Sequence, residues 1–230
     1  MKNFNTIIQN LKEKKNFSLV RFNDGEMKAI QEIGSIVARN CQIVDRTLHD
    51  KLLEALNHKQ ENYWIGKPCE TCFPKYRKSF DEIVNSTYPF LTYAVILCNN
   101  GNWKKFINVF NDCCINKNCI WISGHDQDLN KLKIKFANLN ITNNIELPIK
   151  NCWSEYNNIK EEYKNFKKDD LIFLSCGPLS RVLCYEWFNK RPDCTFLDIG
   201  STFDPFTRNI WHRCHIGKLP FCKECNYECI

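Results

Sequence analysis

Apolar residues along the chain fall into two rhythms that keep replacing one another. Short β-branched or aromatic runs read as strands, and stretches with apolar residues three or four apart read as helices. An amphipathic helix over residues 1–16 (Phe4, Ile7, Ile8, Leu11) comes first, then a strand from Phe17 to Phe22 and a helix through Met27, Ile30 and Ile33. The spacing predicts a helix from Asp45 to Lys59, a strand over Tyr63–Gly66 and a helix from Lys75 to Val84. The run Tyr93–Cys98, YAVILC, reads as a strand buried on both faces. Helices marked by Trp103, Phe106 and Phe110, and by Leu129, Leu132 and Phe136, flank a strand over Cys119–Ser123. A strand over Ile145–Ile149, a helical face between Ser154 and Lys167, a strand over Leu171–Ser175, a helix from Leu179 to Phe188 and a last strand over Thr195–Ile199 follow.

Such alternation, without repeats or low-complexity linkers, predicts an α/β fold. The expected architecture is a Rossmann-like, doubly wound, mostly parallel sheet in a single domain spanning 1–230, with residues 200–230 as a loop-rich, Cys-rich tail packed on the body. In a parallel sheet the strand ends share one edge, and ligands bind there. Three strands end in small or acidic residues: Asp24-Gly25-Glu26, Ser175-Cys176-Gly177-Pro178 and Asp198-Ile199-Gly200-Ser201.

The first of these has two readings. Two carboxylates flanking a glycine can converge on one point and suit Mg²⁺ or Mn²⁺. Alternatively Asp24 caps a helix and Glu26 faces its dipole from the first turn. Gly177 would let a phosphate or ribose approach the backbone ahead of the helix that opens at Leu179. Asp198 and Asp204 are candidates for a sugar or ribose hydroxyl or for a general base, and Ser201 lies between them. Arg208, His212, Arg213 and His215 cluster in sequence and suit a diphosphate. No GxGxxG follows a strand and no GxxxxGK[ST] occurs, which excludes a dinucleotide fingerprint and a P-loop.

Composition narrows the classes. Hydrophobic residues make up 43% and charged residues 25%, as in ordinary globular proteins. No apolar run is long enough to span a membrane. The opening helix pattern is interrupted by charges and lacks a signal peptide's apolar core, so a cytoplasmic location is expected. A net charge of +6 is spread along the chain, and the clearest aromatics lie on helical faces, so nucleic acid is not expected as a partner. The oligomeric state is not legible. Fifteen cysteines stand out. Several are small buried hydrophobes, but Cys69-x-x-Cys72 and Cys222-x-x-Cys225 form two pairs that can close a structural Zn²⁺ site. These pairs and the basic balance are the grounds for the alternative reading, a zinc-stapled nucleic-acid or protein-binding module without catalysis.

In order along the chain, SLVRFNDGE, YWIGKP, FLSCGPLSRVLCYEW and FLDIGSTFDPF resemble the signature segments of the GT-D-type glycosyltransferases, once grouped as a domain of unknown function. The resemblance spans nearly the whole chain. It implies metal-dependent transfer of a sugar from a nucleotide-diphosphate-sugar donor to a hydroxyl of a glycan or glycoprotein acceptor. By match, Asp24 and Glu26 would hold Mn²⁺ or Mg²⁺ on the donor diphosphate, and Arg21 would add positive charge or lock the turn. Asn23 departs from the pattern, which often has glycine there.

Overall fold

The structure, a computed structural model, describes residues 4–37, 42–84 and 87–210. Its centre is a seven-stranded sheet in the order β5-β4-β1-β9-β8-β6-β7. The strands are β1 (Ser18–Arg21), β4 (Tyr63–Lys67), β5 (Leu91–Tyr93), β6 (Cys119–Gly124), β7 (Ile141–Leu147), β8 (Leu171–Ser175) and β9 (Thr195–Asp198). Every pairing within it is parallel, so all seven carboxyl ends lie along one edge. A two-stranded antiparallel hairpin, β2 (Ile36–Val37) and β3 (Gln42–Ile43), stands apart. The expected α/β, doubly wound architecture is the one observed.

Helices cover both faces, which explains why inner strands such as β6 and β8 are mostly apolar, whereas the edge strand β7 is largely exposed. Val20, Ile65, Ile120, Ile122, Ile172, Leu174 and Phe196 face one core, packed under α2 (Asp24–Gln31), α3 (Arg46–Asn57), α4 (Pro74–Ile83) and α8 (Leu179–Lys190). Their neighbours Leu19, Trp64, Trp121, Phe173 and Leu197 face the other, under α1 (Phe4–Lys12), α5 (Asn100–Cys113) and α6 (Leu129–Lys135). Successive strand residues pointing to opposite faces is the two-residue period of a pleated strand. No described helix is long and apolar enough to cross a membrane.

Three local expectations are corrected. YAVILC is not a strand: β5 ends at Tyr93, and the chain then coils through turns closed by Ile96 N–H to Tyr93 O, Cys98 N–H to Val95 O and Asn99 N–H to Val95 O. Its hydrophobicity reflects the burial of Ile96 and Leu97 in the α5-side core. The helical face between Ser154 and Lys167 is broken into a 3₁₀ turn, the single turn α7 (Tyr156–Ile159) and a second 3₁₀ turn. Side chains of α8 and its end take the carbonyls a longer helix would use: Trp187 Nε1 donates to Lys160 O at 2.8 Å and Arg191 Nη1 to Tyr163 O at 3.3 Å. The strand expected over Ile145–Ile149 starts too late, since β7 runs from Ile141 to Leu147.

Past β9, the loop from Gly200 enters the short helix α9 (Asp204–Thr207). Phe203 anchors it, with ring centroids 4.6 Å from Phe110 and 5.4 Å from Trp121.

Candidate functional site

At the carboxyl ends of β1 and β9, adjacent in the middle of the sheet, four buried charged side chains interlock. Arg21, the last residue of β1, donates from its backbone N–H to Asp198 Oδ2 at 3.2 Å and from Nη2 to Asp198 Oδ1 at 3.4 Å. Arg181, three residues into α8, places Nε 3.0 Å from Asp198 Oδ2 and 2.7 Å from the Arg21 carbonyl. Its Nη2 lies 3.1 Å from Glu26 Oε1, and its Nη1 donates to Gly177 O at 2.6 Å. Asp198 is 0% exposed and Glu26 7%. Charges so buried are tolerated because each cation meets a carboxylate and the four sum to zero. Burial pulls the Arg21 pKa down, but Asp198, by its charge and its hydrogen bond, together with Cys98 and Glu26 outweighs it and holds the guanidinium protonated.

The turn after β1 delivers the remaining carboxylate. Asn23 is the N-cap of α2, and its N–H donates to Glu26 Oε2 at 3.1 Å. Glu26 therefore uses one oxygen on the cap and the other on Arg181. Asp24, one residue into α2, is exposed to solvent. The helix-start reading thus describes the backbone here, with Asn23 rather than Asp24 as the cap.

Glycine is required opposite Arg21. Gly200 has φ +44°, and a Cβ there would lie 1.6 Å from Arg21 Nη2. Hydrogen bonds tie this loop to the sheet: Ser175 Oγ donates to Gly200 O at 2.8 Å, Gln127 Nε2 to Ser175 Oγ at 2.8 Å, and Trp121 Nε1 to Gln127 Oε1 at 3.2 Å. Gly177, with φ +58°, turns the chain from β8 into α8 and aims its carbonyl at Arg181. Two surface hollows lie elsewhere, one along α4 beside Arg77 and Asp81, the other beside Tyr156, Tyr163 and Tyr185.

Comparison with known proteins supplies the family. The model of the family described as "Glycosyltransferase GT-D fold" matches residues 70–219, more than half of the chain. The chain belongs to this family. It is a glycosyltransferase. The fold is also that of solved structures at 17% identity. A structure described as a new glycosyltransferase, domain of unknown function 1792, from Streptococcus sanguinis superposes with a TM-score of 0.70, covering 92% of this chain and 86% of that one. A second, described as domain of unknown function 1792 with a distinct glycosyltransferase fold, gives 0.66 over 86% of this chain and 77% of its own. No curated protein sequence matches the chain.

Within this GT-D protein the matched span carries Gly177, Arg181, Asp198 and Gly200, whereas Arg21, Asp24 and Glu26 precede it. The other expected site residues form a second group. Asp204, 4% exposed, accepts from Arg208 Nη1 at 3.1 Å, and Arg208 Nη2 reaches Asp126 Oδ1 at 2.7 Å. Ser201, half-buried, accepts the Asp204 N–H through its carbonyl. Cys69 is buried and Cys72 half-buried, both packed with Tyr93 and Val95. Cys222, Cys225, His212, Arg213 and His215 lie outside the described residues. Among the described residues no group of three or more His, Cys, Asp or Glu side chains is set for a metal.

Sequence reasoning missed Arg181, Gln127 and Asp126. For Arg181 there was a signal: a lone cation in the otherwise apolar start of α8, four residues after Gly177, where a helix returns to the same face.

Proposed function

We propose that this GT-D glycosyltransferase moves a sugar from a nucleotide-diphosphate-sugar donor to a hydroxyl of a glycan or glycoprotein acceptor, with Mn²⁺ or Mg²⁺ at Asp24 and Glu26. The observation that carries the reading is the Arg21–Asp198–Arg181–Glu26 cluster at the sheet's ligand-binding edge, with exposed Asp24 beside it.

The donor set fits a hard divalent ion. Asp24 offers a solvent-facing carboxylate, and each Glu26 oxygen, holding one hydrogen bond, keeps a further lone pair for ligation. When bound, the ion supplies positive charge to the departing nucleoside diphosphate. Arg181 sets the direction of Glu26, and the pairing of Arg21 and Arg181 with Asp198 and Glu26 fixes the floor of the site without adding net charge. Asp198 has both oxygens engaged by arginines and no exposed surface, which suits a positioning residue better than a base. Gly177 and Ser201 border the donor side. Arg208 is the cation that meets the donor from α9, and Asp204 is the candidate base once Arg208 is drawn to the more negative diphosphate. A structural zinc on Cys69, Cys72, Cys222 and Cys225 is a companion proposal, motivated by the packed Cys69–Cys72 pair.

A panel of sugar nucleotides with Mn²⁺, scored by thermal shift and by nucleoside diphosphate release, tests the reading. One donor should both stabilise the protein and turn over, and Asp24→Asn should abolish the Mn²⁺-dependent part. An Asp24→Asn variant as active as wild type would remove the metal assignment.

A further inference from the structure

The start of α5 carries polar groups that the cluster above does not use. Because α5 follows β5 in a parallel sheet, its amino terminus opens at the carboxyl edge. Two contacts hold it beside the central strands. Arg21 Nη1 donates to Ala94 O at 3.2 Å and lies 3.8 Å from Cys98 Sγ, the residue before Asn99. Trp103 Nε1 donates to Thr202 O at 2.8 Å, which seats the first turn of α5 on the loop after β9.

Asn99 is the N-cap. Its Oδ1 accepts the Asn102 N–H at 2.9 Å and its carbonyl accepts the Trp103 N–H at 2.7 Å. A helix leaves its first N–H groups over, here those of Asn100 and Gly101, and Gly101 has no side chain to stand in front of them. The other half of the Asn99 amide is the informative part: Nδ2 is buried without a hydrogen-bond partner among the described residues, in a side chain 5% exposed. Buried amide donors are almost always paired, so an unpaired one marks a missing acceptor. Two more orphans lie on one row of the sheet, where Arg21 pairs in register with Gly66 and Gly66 with Thr92: these are Arg21 Nε and Thr92 Oγ1. Both nitrogens only donate and the hydroxyl can donate, so what is missing accepts. A 14-residue helix adds its positive dipole end.

We infer that the amino terminus of α5, with Asn99 Nδ2 as its side-chain donor, binds the diphosphate oxygens of the nucleotide-sugar donor. This rests on the nucleotide-sugar reading above and fixes where the anionic part of the donor sits, on the β5 side of Arg21.

Asn99→Asp separates the two jobs of Asn99. Aspartate keeps the oxygen that caps Asn102 and is as good an N-cap, but it loses the donor and sets a negative charge against the phosphate. The test titrates the full chain, with Mn²⁺ present, with the diphosphates of uridine, guanosine, adenosine, cytidine and thymidine, and with inorganic pyrophosphate. Asn99→Asp should weaken the diphosphate that wild type binds by tenfold or more while its melting temperature stays at or above wild type. Asn99→Ser, a neutral cap, should weaken it several-fold and carries the test if the aspartate variant does not fold. Binding within twofold of wild type by the folded variant overturns the inference and leaves the donor reading standing. If wild type binds no diphosphate in the panel, the donor reading fails and this inference with it.

Discussion

Arg21 Nη2 occupies the space that a Cβ on Gly200 would fill, 1.6 Å from where that atom would sit. The loop after β9 can therefore pass over the end of β1 only as glycine. Gly200→Ala should cost at least the roughly 1–2 kcal/mol of a left-handed backbone and should also push the guanidinium off Asp198. Urea unfolding and nucleoside diphosphate release measured on the same preparation check both effects. Near-wild-type stability with full activity would show that Arg21 has another place to go.

Arg181 bridges two carboxylates, so its removal leaves Glu26 without a cation and Asp198 with Arg21 alone. Arg181→Met is expected to destabilise by about 3–5 kcal/mol, the range for breaking a buried ion pair from one side. Asp198→Asn in the same chain should recover part of that loss. A double-mutant cycle in urea measures the coupling, and simple additivity would mean that the two side chains do not depend on each other.

Asp24 and Glu26 should separate by stability. Asp24→Asn, at an exposed position, should change stability by no more than about 0.5 kcal/mol while the Mn²⁺-dependent thermal shift disappears. Glu26→Gln also weakens the Arg181 contact and the cap, so a loss of about 1–3 kcal/mol is expected. Denaturation curves alongside Mn²⁺ titrations distinguish the outcomes.

Alkaline pH should unfold the protein before it damages chemistry elsewhere. Burial pushes the Cys113 thiol up to about 11 and the Cys194 thiol up to about 12. An unfolded thiol titrates near ~8.5, so above that pH the native state holds protons that the unfolded chain gives up. The stabilisation is full below about pH 8.5 and is lost as pH rises through 11 and 12, at up to about 1.4 kcal/mol per pH unit for each thiol. Urea midpoints under reducing conditions should be level from pH 7 to 8 and fall by pH 10.5. A flat profile across that range would contradict the assignment.

Zinc, if Cys69, Cys72, Cys222 and Cys225 hold it, should be present at one equivalent after purification without added metal. Four thiols should become titratable when a chelator removes it. Metal-free protein with those thiols reacting freely would end the proposal.

The alternation of strands and helices was legible because a sheet covered on both faces makes each central strand apolar end to end, as in Leu171–Ser175 and Cys119–Gly124. The same rule misreads YAVILC, since burial alone does not distinguish an edge strand from a coiled segment tucked beneath a helix. The hairpin of β2 and β3, with two residues in each strand, is too short to leave a period. Asp24, Glu26, Arg21 and Asp198 were visible as chemistry at strand ends. Their mutual arrangement was not, because it depends on Arg181, whose role comes from which face of α8 turns inward. Asn99 was hidden for a related reason: in the stretch CNNGN any of several asparagines can cap, and here only the fold decides that Asn99 does.

The place of β9 bears on how the chain is made as well as on what it does. It lies between β1 and β8, yet it is the last strand in sequence among the described residues. Until Thr195–Asp198 has left the ribosome, the nascent chain has β5-β4-β1 on one side and β8-β6-β7 on the other, each with an unpaired edge at the gap. Closing that gap against β1 pairs Ser18 with Phe196, a long-range contact that slows the final step. Asp198 arrives in the same step, so the two arginines acquire their shared counter-ion only when the two halves fuse. A polypeptide stopped before β9 thus combines two exposed strand edges with two arginines that have only Glu26 between them.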